Sequence, residues 1–130
     1  MKRAQPARKT NRHRWLFEPL EGLPTFEERR MFGALAAYFN GLLVLALCDT
    51  EEPWRGVLVP TDRDSHAALI AEFPALAPHP VLGKWLYLPE STSSFERDAQ
   101  RLVERIRHLD PRIGVMPERK RTKKKTTRPR

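Results

Sequence analysis

Two apolar runs meeting at an Asn-Gly pair constrain this chain more than any other feature. Residues 31–39 and 42–48 flank Asn40-Gly41, the dipeptide that favours a type I′ turn because both central residues need φ > 0. A two-residue loop puts Phe39 opposite Leu42, Ala37 opposite Val44 and Leu35 opposite Ala46. Tyr38/Leu43, Ala36/Leu45 and Ala34/Leu47 then fill the other face. Both faces are apolar, so each needs a cover.

The charge is segregated. The chain has 130 residues and a formal net charge of +8, yet residues 1–14 hold six basic groups and no acid, and residues 117–130 hold eight with one acid. The middle is left with ten basic and fifteen acidic residues, a net of −5. One domain over residues 15–116 is therefore expected, with disordered basic tails at 1–14 and 117–130 that lack the large apolar side chains of a core. The lone Cys48 excludes an internal disulfide and a cysteine-based zinc site, and its place in a strand run predicts a buried apolar filler. The N-terminus lacks the apolar segment of a signal peptide, and the run 41–48 is too short to span a bilayer. A soluble cytoplasmic protein without membrane partners is the expectation.

Along the chain, Trp15, Leu16, Phe17 and Leu20 form an apolar cluster read as a short helix or docked segment. Thr25 and Glu28 have capping-box spacing, which predicts a helical turn over residues 25–29 leading into the first strand. A third strand is expected from Arg55 to Pro60, where proline removes a ladder donor. Thr61 or Asp62 then caps a helix reaching Phe73, with Leu69, Ile70 and Phe73 as its buried stripe. Residues 75–80, with Pro78 and Pro80, read as an extended connector, and residues 81–89 as a fourth strand with Trp85 and Tyr87 on one face. Ser93 and Glu96 make a second capping box. Phe95, Ala99, Leu102, Val103, Ile106 and Leu109 fall on one face of the helix that follows. The expected fold class is α+β: an antiparallel sheet of about four strands with helices packed on it, in the order α-β-β-β-α-β-α.

No catalytic constellation emerges, and no cofactor or metal site. His13, His66, His79 and His108 lack partners at ligand spacing, no serine stands in a nucleophile elbow, and no glycine-rich phosphate loop is present. Glu51-Glu52 reads as solvated turn charge. The basic ends carry more weight: Arg119, Lys120, Arg121, Lys123, Lys124 and Lys125, with Arg8, Lys9, Arg12 and Arg14, are candidates for sequence-independent contact with DNA or RNA phosphates. A purely solubilising tail is the even alternative. Arg97, Arg101 and Arg105 form a second basic row on the last helix, where Glu96, Asp98 and Glu104 stand close enough to pair with them. The second face of a four-stranded sheet would stay open in a monomer, which favours a homodimer through the sheet over a cover supplied by the N-terminal aromatic segment.

The run Arg30-Met31-Phe32-Gly33, followed by a small-residue strand with Tyr38, an Asn-Gly turn and a hydrophobic strand, resembles the N-terminal domain of the TfoX/Sxy family. The segment 83–90 before an amphipathic helix is similar to that family's closing strand and helix. Ala34 stands where the family commonly has a second glycine, and the turn over residues 49–54 is longer. The resemblance, over residues 26–109, implies an α+β domain likened to secretion-chaperone folds and no catalytic residues. In some members it implies regulation of competence for DNA uptake by assisting transcription. A non-enzymatic regulatory or interaction domain is the resulting expectation; a secretion-chaperone-like module that binds a protein partner is the alternative.

Overall fold

A computed structural model describes residues 11–31 and 33–117. A 3₁₀ helix, Arg14–Leu20, is followed by β1 (Glu27–Met31), β2 (Ala34–Phe39), β3 (Leu42–Asp49) and β4 (Arg55–Val59). A 3₁₀ turn leads into helix α1 (His66–Glu72), then β5 (Ala77–Pro78), β6 (Leu86–Pro89) and helix α2 (Phe95–Arg107). The strands form one sheet in the order β1-β2-β3-β4-β6-β5, every neighbouring pair antiparallel. The expectation of about four strands in a secretion-chaperone-like α-β-β-β-α-β-α order is thus overturned by six strands in a different order.

Both added strands come from segments read as something else. Residues 25–29 form no helical turn. Glu27–Met31 pairs with β2 along its length, and Thr25 serves the hairpin instead: its Oγ1 accepts the Asn40 N–H at 2.9 Å and donates to Asn40 Oδ1 at 2.7 Å. A four-residue turn gains too few hydrogen bonds to offset helix nucleation, while the open edge of β2 offers a partner for every second backbone group. The charged Glu-Glu-Arg-Arg run then suits a sheet edge. At the opposite edge Ala77–Pro78 pairs with β6, and Pro78 is tolerated there because the outer side needs no donor.

The remaining differences concern boundaries. β6 starts at Leu86, because residues 81–85 turn around the His79 ring, whose Nδ1 accepts the N–H groups of Val81 and Leu82 at 3.0 Å. Ser94, not Ser93, is the N-cap of α2, and its hydroxyl donates to the buried Asp98 carboxylate at 2.8 Å. Leu109 lies past the helix end, 58% exposed. Asn11 to Arg14, read as part of the basic tail, lie against the sheet: the Asn11 amide donates to the Leu47 carbonyl, and His13 is buried.

The Asn-Gly hairpin forms as expected, with φ +54° at Asn40 and +81° at Gly41. Its register departs after two pairs. Phe39 and Tyr38 face Leu42 and Leu43, but Ala37 faces Leu45 and Leu35 faces Leu47, so β3 carries one extra residue at Val44. Such a bulge turns two consecutive side chains to one side; here Val44 and Leu45 both join the core beneath the helices. The 3₁₀ helix, α1 and α2 all cover that face, through Phe17, Leu69, Phe73, Phe95, Leu102 and Ile106 among others. The N-terminal aromatic segment therefore covers the helix side and not the second face.

The second face is not left open either. Ala34, Ala36, Ala46 and Cys48 lie under Trp85 and Tyr87, with Trp54, Leu82 and Val115 packed around them. Small residues on β2 and β3 make room for large ones from the far half of the sheet.

Candidate functional site

Proline at position 60 stops β4 and leaves the Leu43 end of β3 without a neighbour on that side. The chain returns after α2 to fill the gap. Gly114 N–H donates to the Pro60 carbonyl at 2.7 Å, and Val115 exchanges two backbone hydrogen bonds with Leu43, at 2.9 and 3.0 Å. Thr61, 1% exposed, secures the return by donating to the Arg112 carbonyl at 2.6 Å. This closure leaves a cleft of about 630 Å³ on the sheet face away from the helices. Met31, Tyr38, Leu43, Trp85, Val115 and Met116 give it an apolar lining, and Asp62, Arg63 and Lys84 supply charge. Its size and lining are those of small-molecule sites.

The charged groups around the cleft differ in what holds them. Asp62 Oδ1 accepts the Ser65 N–H at 3.2 Å and caps the 3₁₀ turn. Arg63 is exposed and makes no ion pair among the described residues. The Trp85 indole Nε1 is the one buried side-chain polar atom among the described residues without a hydrogen-bond partner.

Elsewhere eight arginines are committed to carboxylates. Of the candidate phosphate-binding residues, Arg12 reaches Asp49 at 2.7 Å and Glu90 at 3.0 Å, and Arg14 reaches Glu28 at 2.9 Å. Arg8, Lys9, Arg119, Lys120, Arg121, Lys123, Lys124 and Lys125 lie outside the described residues. Two members of the row on α2, though exposed, tie helices together: Arg101 and Arg105 both meet Glu72 of α1, as does Arg112 at 2.7 Å. Arg101 also lies over the Phe73 ring, 4.8 Å from its centroid. Hydrogen bonds from Arg105 and Arg112 hold the Glu72 carboxyl below its usual range. The expected pairing of Arg97 is local, to Asp98 at 3.6 Å. Of the family-like motif, Arg30 and Met31 end β1, Gly33 belongs to the turn before β2, and Phe32 lies outside the described residues.

A second polar group joins the N-terminal segment to β4 and β6. Glu90 accepts from Arg12, His13 and Arg55, each at 3.0 Å. Burial lowers the His13 pKa against the pull of Glu90. Burial alone would raise the Glu90 carboxyl; the hydrogen bond from Arg55 and the Arg12 charge bring it below its usual value. A wide polar depression of about 860 Å³ adjoins this group at the start of α2, but its Arg12, His13 and Glu90 already satisfy one another.

No buried nucleophile is paired with a base in either place. His79 Nε2 donates to the Pro53 carbonyl at 2.6 Å while Nδ1 accepts from two amides, which fixes a neutral structural tautomer. The Tyr87 hydroxyl accepts the Arg55 N–H and donates to Glu52, and burial pushes its pKa up. Burial pushes the Cys48 thiol up to about 12, so no thiolate forms near neutral pH. Among the described residues no cluster of His, Cys, Asp or Glu can hold a metal, and no helix is long and apolar enough to cross a membrane.

The sequence reading missed the cleft because its lining comes from five separated segments. The one available signal was the alternation of Trp85 and Tyr87 on the face carrying Ala34, Ala36 and Cys48. No family model, curated protein or solved structure matches the chain, so the likeness to the TfoX/Sxy N-terminal domain stands on the residues quoted for it.

Proposed function

We propose that this chain is a non-enzymatic regulatory or interaction domain whose basic ends grip nucleic acid without reading its sequence. The observation that carries this reading is the division of charge. Eight arginines of the described residues (Arg12, Arg14, Arg29, Arg55, Arg97, Arg101, Arg105 and Arg112) are held by carboxylates. Residues 15–116 sum to −5, and twelve basic residues fall in 1–10 and 118–130. A folded part of that charge repels phosphate. Lysine and arginine in the terminal runs neutralise it by displacing counterions, which positions a backbone and selects no base. This agrees with the regulatory role that the TfoX/Sxy resemblance implies.

The test is duplex DNA binding by fluorescence anisotropy across a salt series. With about half of the twelve charges on phosphates, log affinity should fall against log salt with a slope of about −5. Affinity then drops on the order of 10³-fold between about 50 and 200 mM salt, with little difference between unrelated sequences. The full chain with Lys120, Arg121, Lys123, Lys124 and Lys125 all changed to Ser should lose about two fifths of the slope and keep its melting temperature. Unchanged binding by that variant, or no binding by the parent at low salt, refutes the reading.

A further inference from the structure

The cleft beside Leu43 plays no part in that reading, and its chemistry is different. We propose that it binds a small amphipathic acid, with an aliphatic body against Met31, Val115 and Met116 and a carboxylate held at Arg63. Three observations point to this ligand. The lining is aliphatic more than aromatic: Met31, Leu43, Val115 and Met116 outnumber the two rings, and methionine adapts its shape to flexible apolar partners. A flat base seeking a stacking platform finds little here, since Trp85 is only 8% exposed. The volume, about 630 Å³, lies within the range of pockets that enclose small organic ligands.

Arg63 gives the rim a cation able to hold an anion. Asp62 is engaged in capping the turn, Arg63 has no carboxylate partner among the described residues, and Lys84 stands on the same cleft. Arg63 is therefore unlike the eight ion-paired arginines of the fold. Its planar fork suits a carboxylate through two parallel hydrogen bonds. An alcohol or alkane of the same length meets the lining but not the charge. A bulky polyanion meets the charge but not the lining.

Decanoate and decanol are the probes, and methionine methyl NMR of the full chain is the readout. The chain has three methionines, Met1, Met31 and Met116, two of which line the cleft. Decanoate should shift Met31 and Met116 in a saturable way at micromolar to sub-millimolar concentration and leave Met1 in place. Decanol should bind at least fivefold more weakly. Arg63→Gln, at an exposed position that leaves the fold intact, should cut decanoate affinity about fivefold and leave decanol unchanged. Binding through the basic ends alone would leave the Met31 and Met116 methyls unshifted and survive Arg63→Gln, which overturns the proposal. Equal binding of acid and alcohol overturns the role of Arg63, and the absence of any saturable shift overturns the site.

Discussion

Gly56 is the position where one added methyl group should do most damage. It lies in β4 between Cys48 of β3 and Pro89 of β6, with φ +151°. A Cβ built there would stand 2.2 Å from the Leu88 carbonyl oxygen, 2.8 Å from the Glu90 nitrogen and 3.0 Å from the Pro89 Cα. All three are backbone atoms, so no side-chain rotation relieves the contact. Alanine in such a conformation costs on the order of 1–3 kcal/mol. Moving β6 away by roughly 1 Å takes a ladder bond out of hydrogen-bonding range. The Glu90 N–H bond to the Arg55 carbonyl, 2.9 Å long, is the first at risk, and an orphaned buried group costs about 1–3 kcal/mol. Together these give about 2–6 kcal/mol, about 4 kcal/mol at the middle of the range, against a total stability of order 5–15 kcal/mol. At about 4–8 °C per kcal/mol for a domain of this size, Gly56→Ala should melt roughly 15–30 °C below the parent by circular dichroism. Gly22→Ala is the control, because nothing lies within 4 Å of its added Cβ, and it should melt within a few degrees of the parent. A Gly56→Ala protein as stable as that control would refute the β4–β6 register.

Three further outcomes follow from particular groups. Gly41 has open space around it but φ +81°, so Gly41→Val should cost about 1–3 kcal/mol from backbone strain alone, whereas Gly41→Asn should cost less. Equal melting temperatures for the two would sink the type I′ assignment. Cys48, 2% exposed and with its thiol pushed up to about 12, should react with a disulfide reagent at pH 8 only as fast as the protein unfolds; immediate stoichiometric labelling would contradict its burial. Glu72, held below its usual 4.5 by Arg105 and Arg112, has a folded pKa under its unfolded one. Its contribution is therefore complete above the unfolded value and lost as pH falls through the folded value. Glu72→Gln should unfold more easily than the parent at pH 7 and no more easily at pH 2 by denaturant titration.

What the sequence conveyed was local. The Asn40-Gly41 turn and the buried face of α2 follow from φ preference and 3.6-residue periodicity, and both are where the pattern placed them, apart from Leu109. The failures occurred where a local signal competed with a distant partner. Thr25 and Glu28 have capping spacing, but Thr25 found Asn40 fifteen residues away and the edge of β2 captured the rest. The two prolines at 78 and 80 argued against a strand, yet the outermost position of a sheet asks nothing of the donor that Pro78 lacks. The bulge at Val44 left no mark in a run where every residue is apolar, because alternation reports register only where one face is polar. Asn11, Arg12 and His13 looked like tail because their partners, Leu47, Asp49 and Glu90, are 36, 37 and 77 residues away.

One residue links the misread sheet to the proposed cleft. Pro60 has no N–H to donate, so β4 ends at Val59 while β3 still presents Leu43. The open place beside Leu43 is taken by Val115, which brings the end of the fold across the second face and sets Met116 and Pro117 against the cleft. The cleft and the basic run draw on different side chains: Arg63 in one, and the lysines and arginines after residue 118 in the other. Changing those lysines and arginines to serine should remove about two thirds of the salt dependence of DNA binding and leave the lining contacts of a bound acid intact. Arg63→Gln should do the reverse, since one exposed charge adds little to a dozen. A variant of either kind that removed both activities would show that they share one surface, and would overturn their separate assignment.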